Sequence, residues 1–201
     1  MTCVAVIIKR GRFIVNASSS LFSPGGADRI RPMIPDKILE AIQFASREHH
    51  GQMRKDGNTP YVSHPYRVMF LLRHVFKVED PEVLTAGVLH DTIEDTTTDY
   101  DAVVKRFGPR VAGMVASLSK DSRLEEKVRE ENYLSHLAQA SIEVKLCKLA
   151  DTLDNLLDSR EARPEFRKKT IGKSQELLRR FEPGFPKEWN HALEAVRAAA
   201  Q

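Results

Sequence analysis

Two cysteines in 201 residues, Cys3 and Cys147, are too few and too far apart for a disulfide framework or a thiolate zinc site. That scarcity suits a reducing compartment, and a cytoplasmic location is expected; Cys147, set in an apolar helical pattern, reads as a buried thiol. No apolar run approaches the roughly 18 residues needed to cross a bilayer, so no membrane partner is expected. Strict alternation of apolar and polar residues is scarce as well. A period of 3.6 outscores a period of 2 nearly everywhere after residue 33, which points to an all-α body. An excess of charge of one sign is also missing from that body. The whole chain carries +3, but Lys9, Arg10, Arg12, Arg29 and Arg31 face Asp28 alone in residues 1–32, leaving 26 basic against 27 acidic residues elsewhere. The body is therefore not a basic nucleic-acid binder.

Residues 1–32 differ from the rest and are expected to form an irregular, disordered or loosely attached extension to a domain over 33–201. Val4-Ala5-Val6-Ile7-Ile8 suits a short strand, followed by a basic turn, the run Ser18-Ser19-Ser20 and Pro24-Gly25-Gly26. Three readings compete: a loosely docked tail, translation that truly starts at Met33, or an organellar transit peptide rich in Ser and Arg. The short apolar run, with Lys and Arg after it, does not read as a secretory signal.

From Met33 the chain reads as helices. Pro35-Asp36 starts the first, which Gly51 ends. A turn-rich loop carrying Arg54 and Lys55 leads to Tyr61-Val62-Ser63-His64-Pro65 and a second helix with Val68, Leu71, Leu72 and Val75 inward. Asp80-Pro81-Glu82 is a cap signal for the third. A threonine of Thr96-Thr97-Thr98 is expected to cap a short helix from Asp99 to Phe107. Further helices follow over 110–120, 123–136, 141–159, 166–181 and 187–200, the second of these largely a solvated, charged face.

The third helix ends in Leu89-His90-Asp91-Thr92-Ile93-Glu94-Asp95-Thr96. If the stretch is helical throughout, His90 stacks over Glu94 and Asp91 over Asp95. An apolar approach with so polar an end reads as a buried helix opening into a pocket. Asp151 lies in the apolar run Lys148-Leu149-Ala150-Asp151-Thr152-Leu153, where an unpaired carboxylate is very costly. A metal is one partner that would satisfy it. His64, His90, Asp91 and Asp151 together would supply two nitrogens and two or more oxygens, with room for water. That donor set suits Mn²⁺, Fe²⁺ or Zn²⁺ better than Ca²⁺ or Mg²⁺. Each residue alone has an ordinary structural explanation; their joint occurrence is the signal.

The ordered set is more specific than its parts. His49-His50-Gly51-Gln52-Met53-Arg54-Lys55, then Pro60-Tyr61-Val62-Ser63-His64-Pro65, Leu89 to Thr96, Phe107-Gly108, and Lys148-Leu149-Ala150-Asp151 with Asn155 resemble the hydrolase domain of RelA/SpoT homologues. The stand-alone small alarmone hydrolases of the HD phosphohydrolase superfamily are the nearest form, and the resemblance covers roughly residues 33–190. It implies an all-helical HD bundle and hydrolysis of the 3′-diphosphate of ppGpp and pppGpp with one Mn²⁺ per site. It implies that His64, His90, Asp91 and Asp151 hold the metal, and that Glu94 and Asp95 are the catalytic acids. Arg54 would pack on the purine base, and Lys55 and Asn155 would contact the substrate.

The chain departs from the family where Leu156-Leu157 stands in place of Met-Arg. Arg160 is the cation available to replace the missing one; Lys120, Lys127 and Arg129 could serve the distal phosphates, or simply form a charged helix face. With no room for a synthetase or regulatory domain, a hydrolase alone is expected. The alternatives are the same site acting on ppApp or on the phosphate of NADPH, or a nucleotide-binding module without turnover.

Overall fold

The computed structural model describes residues 36–120 and 123–201, and the backbone of 6–9 and 12–15. The chain separates into two units, Met1–Met33 and Ile34–Gln201. The first contains an antiparallel pair of strands, β1 (Val6–Lys9) and β2 (Arg12–Val15), with Val6 opposite Val15 and Lys9 opposite Arg12. The expected short strand is thus present, paired with a second that the sequence reading left irregular. Val4, Ala5, the serine run, Pro24-Gly25-Gly26 and Met33 lie outside the described residues.

The second unit is helical, as expected. Its helix α1 (Asp36–Glu48) buries Ile38, Ala41, Phe44 and Ala45, one stripe at helical spacing. Gly51, with φ +79°, turns the chain out of it. Residues 52–61 fold back on themselves: Arg54 N–H donates to the Thr59 carbonyl at 2.8 Å, and Tyr61 N–H to that of Gln52 at 2.9 Å. Asp56 accepts the N–H groups of Asn58 and Thr59 at the tip. This loop therefore presents Arg54 and Lys55 from a fixed backbone.

Helices α2 (Ser63–His74) and α3 (Pro81–Leu89) come next. Asp80 caps α3 by accepting from Glu82 N–H, with Pro81 at the first helical position. Every residue of α3 from Val83 to Leu89 is buried, because α1, α2, α6 (Pro109–Leu118) and α8 (Ile142–Asp158) surround it. Gly87 is the point of closest approach; a Cβ there would meet Leu72 Cδ1 at 2.5 Å. Val75, expected inward, is 38% exposed: α2 ends at His74, and the chain turns so that Phe76 fills the core position instead.

The continuous helix expected through His90 is broken. α3 stops at Leu89, and a single turn, α4 (Thr92–Asp95), restarts after Asp91 at φ −99°, ψ −3°. Side chains take the carbonyls that would continue the ladder. His90 Nδ1–H donates to the Gly87 carbonyl at 2.9 Å, and the Thr92 hydroxyl to that of Leu89 at 2.7 Å. Helix α5 (Tyr100–Phe107) is capped by Asp99, which accepts from Ala102 N–H at 2.8 Å, not by a threonine. Thr96 is unavailable because its hydroxyl binds the Thr92 carbonyl inside α4.

α7 (Glu126–Gln139) is mostly exposed and inserts Tyr133 and Leu137 into the core. α8 is buried for most of its length and packs on α2, α9 (Pro164–Phe181) and α10 (Asn190–Ala199). Cys147 is a buried free thiol whose pKa burial pushes up to about 12. No described helix is long and apolar enough to cross a membrane.

Candidate metal and active site

Three elements that are distant in sequence deliver the ligand candidates. His64 enters from the first turn of α2, His90 and Asp91 from the break between α3 and α4, and Asp151 from the middle of α8. His64, His90 and Asp151 each place one ligand atom within 4.8 Å of the others, and all three are buried. His64 Nε2 lies 3.2 Å from Asp151 Oδ1, and His90 Nε2 lies 2.8 Å from Asp91 Oδ2. Asp91 Oδ2 is also 3.7 Å from His64 Nε2. Neighbouring ligand atoms on one ion with bonds of about 2.1 Å stand about 3 Å apart, so these spacings would suit a shared ion as well as direct His–carboxylate pairs.

The ring nitrogens fit the same reading. His90 gives its Nδ1–H to a carbonyl, which turns Nε2 toward the cluster, where it is buried 2.8 Å from Asp91 Oδ2 without a well-formed hydrogen bond. His64 Nδ1 lies 2.6 Å from Asp154 Oδ2, which aims its Nε2 at Asp151. A carboxylate behind a histidine is the usual support for a metal ligand. Two imidazole nitrogens and carboxylate oxygens, without thiolate, fit a divalent ion.

The local charge balance is tight. Burial opposes ionisation of Asp151, but Lys148 at 2.6 Å and His64 hold its carboxyl well below the usual range. Asp91 is likewise buried and likewise held low, chiefly by His90. Burial pushes His64 down, yet its bonds to Asp151 and Asp154 outweigh this and raise its pKa to about 9. Without an ion, a proton on His64 balances the acids around it.

A family profile described as HD domain matches residues 41–179. The chain belongs to the HD-domain family. The guanosine-3′,5′-bis(diphosphate) 3′-pyrophosphohydrolase MESH1 of Danio rerio is 40% identical over 129 residues, 64% of this chain and 72% of that protein. The MESH1 of Homo sapiens is 41% identical over 130 residues, 64% of this chain and 73% of that one. A solved structure described as a metazoan orthologue of SpoT that hydrolyses ppGpp matches with a TM-score of 0.71 at 31% identity, covering 81% of this chain and 94% of that one.

Beside the ligand cluster of this HD domain is a cavity of about 240 Å³ lined by Arg54, Tyr61, Glu94 and Lys120 among others. It shares Lys55, Lys120, Tyr133, Lys148, Asp151 and Asn155 with a larger one of about 980 Å³. Glu94 accepts the Lys120 N–H at 3.0 Å, and burial raises its pKa. Asp95 stands apart from Glu94. It is not among the lining residues, and its Oδ2 lies 3.2 Å from the Tyr61 hydroxyl, which also donates to Asp91 at 2.5 Å. Burial and the charge of Asp91 raise the Asp95 pKa.

Arg54 is not a solvated loop cation. Its Nε and Nη2 donate to Asp158 at 3.1 and 2.7 Å, and Nη2 to Asn155 Oδ1 at 3.2 Å. Asn155 in turn donates to Asp151 at 2.5 Å, tying Arg54 to the ligand cluster. Lys55 lies over the Phe166 ring at 3.8 Å, and burial with nearby Arg54, Lys169 and Lys173 lowers its pKa. Lys120 and Lys127 line the large cavity, whereas Arg129 and Arg160 do not.

The sequence reading gave no role to Asp154, Lys148, Tyr61 or Asp158. Asp154 carried a visible signal: an acid in an apolar helix, three residues after Asp151. Lys148, one turn before Asp151, was equally readable as its partner. The Tyr61 contacts depend on how the loop folds against α4 and had no periodic signal.

Proposed function

We propose that this HD-domain chain hydrolyses the 3′-diphosphate of guanosine alarmones, converting ppGpp to GDP and pppGpp to GTP with release of pyrophosphate. The observation that carries this reading is the buried cluster of His64 Nε2, His90 Nε2 and Asp151 Oδ1 beside a cavity that Glu94 also lines. The likeness to the MESH1 hydrolases gives the substrate class. Residues 33–201 form the hydrolase domain by this reading, and the enzyme works in the cytoplasm on a small nucleotide, not on nucleic acid.

His64, His90, Asp91 and Asp151 would hold one divalent ion, Mn²⁺ by this reading. When bound, the ion supplies a nucleophilic water near neutral pH and withdraws charge from phosphoryl oxygens. The protein's own groups do the rest. The bond from phosphorus to the ribose O3′ breaks as one to the water oxygen forms, and O3′ takes up a proton. Glu94, which accepts the Lys120 N–H and lines the cavity, would give O3′ its proton by this reading. Asp95, off the cavity wall, would act through the Tyr61 hydroxyl, which lies between it and Asp91; the proton that the water gives up passes to the carboxylates of the site. Arg54, locked by Asp158 and Asn155, offers its guanidinium plane to the purine base. Lys55 and Asn155, which line the same cavity, would contact the substrate.

Purified protein with Mn²⁺ is incubated separately with ppGpp, ppApp and NADPH, and phosphate and pyrophosphate are quantified. Turnover of ppGpp to GDP and pyrophosphate supports the reading. Preference for ppApp or NADPH moves the substrate but keeps the site. Tight nucleotide binding without turnover of any of the three rules out an enzyme.

A further inference from the structure

Lys120 Nζ lies 3.3 Å from Glu130 Oε1, and Lys173 Nζ lies 3.5 Å from the same oxygen. The three residues come from the segment just after α6, from α7 and from α9, and all line the 980 Å³ cavity. Two ammonium groups converging on one oxygen across a cavity form the arrangement that binds a phosphate. Two other acids of this wall, Glu131 and Glu176, both pair with Arg180, at 2.9 and 2.8 Å, while Glu126 also lines it. Lys120 is also one of the six residues the two cavities share; its N–H holds Glu94 while its side chain reaches Glu130. A substrate whose 3′-diphosphate lies at the ligand cluster would extend past Lys120 into the larger cavity.

We propose that Glu130 is an internal counter-anion that keeps Lys120 and Lys173 in the positions of a phosphate-binding pair, and that the 5′-polyphosphate of the nucleotide takes its place on binding. The inference rests on the proposed hydrolase reading and adds a subsite to it. Displacing a carboxylate weakens binding, so Glu130 tunes affinity for the 5′ end and discriminates by its charge. A 5′-triphosphate, with more charge to offer the two lysines, overcomes Glu130 better than a 5′-diphosphate.

The test is Glu130→Gln, which keeps size and removes charge. In the Mn²⁺-loaded protein, KM for pppGpp and for ppGpp should fall three- to tenfold, with the wild-type ratio between them reduced. GTP, which lacks the 3′ group, should become a better competitive inhibitor by a like factor. In a Lys173→Gln background, Glu130→Gln should change KM much less. Unchanged or raised KM and GTP inhibition in Glu130→Gln would overturn the inference while wild-type turnover leaves the function standing. If the wild type turns over neither nucleotide, the function fails separately, and calorimetry of GTP binding decides on Glu130. Tighter GTP binding in Glu130→Gln supports the displaced anion, and equal, weaker or no binding refutes it.

Discussion

Nδ1 of His64 lies 2.6 Å from Oδ2 of Asp154, and both side chains are buried. That contact fixes which nitrogen of His64 faces the ligand cluster. Asp154→Asn should therefore weaken divalent-metal affinity by roughly 10–100-fold while leaving the helical content unchanged. Titration calorimetry with Mn²⁺ and far-ultraviolet circular dichroism on the same sample test both halves.

The same histidine makes metal binding depend on pH. With its pKa raised to about 9, His64 is protonated at pH 7 in the metal-free protein, and an incoming ion must displace that proton. Asp91 and Asp151, held below the usual carboxylate range, are already ionised and release none. Apparent affinity should rise about tenfold per pH unit from 7 toward 9 and then level off. Calorimetry in buffers of different ionisation heat should count close to one proton released at pH 7. No release would mean that His64 is neutral before the metal arrives.

Gly87 is where α2 and α3 approach most closely. A methyl group there would sit 2.5 Å from Cδ1 of Leu72, which is itself fully buried. Gly87→Ala should cost about 1–3 kcal/mol by overpacking. Urea unfolding followed by fluorescence measures it. A neutral result would mean that Leu72 has room to turn away.

The helices were legible where one face is buried or a cap signal marks the start. Ile38, Ala41 and Ala45 mark α1, and Asp80-Pro81 marks the start of α3, so the periodicity and cap rules found both. The break after Leu89 was not legible. It comes from His90 and Thr92 binding carbonyls of their own helix, and nothing in their spacing distinguishes this from stacking over Glu94. Glu94 and Asp95, treated from the sequence as one pair, are consecutive on α4 and so point in different directions around its axis: Glu94 lines the cavity, while Asp95 lies by Tyr61. Asp99 took the cap expected of a threonine because Thr96 was already bonded inside α4. The ligand candidates were readable as residue types. Their meeting point depends on the packing of α2, α3 and α8, which no local pattern encodes.

Arg54 and Asp158 form a two-nitrogen ion pair at the cavity wall, with the Arg54 side chain only 12% exposed. Asp158→Ala should free Arg54 and raise KM for ppGpp roughly fivefold, and in a double-mutant cycle the two residues should couple by about 1 kcal/mol. Steady-state kinetics of the single and double variants give both numbers. Strict additivity would show that Arg54 does not need Asp158 to hold its orientation.

The central claim is that the buried cluster around His64, His90, Asp91 and Asp151 performs metal-dependent cleavage at the 3′-diphosphate. ³¹P nuclear magnetic resonance of ppGpp incubated with the protein and Mn²⁺ tests it directly, alongside Asp91→Ala and a chelator control. The account predicts equal amounts of GDP and pyrophosphate from the wild type, and neither product from Asp91→Ala or in the presence of chelator. Release of orthophosphate in place of pyrophosphate, or turnover that persists in Asp91→Ala, would contradict it.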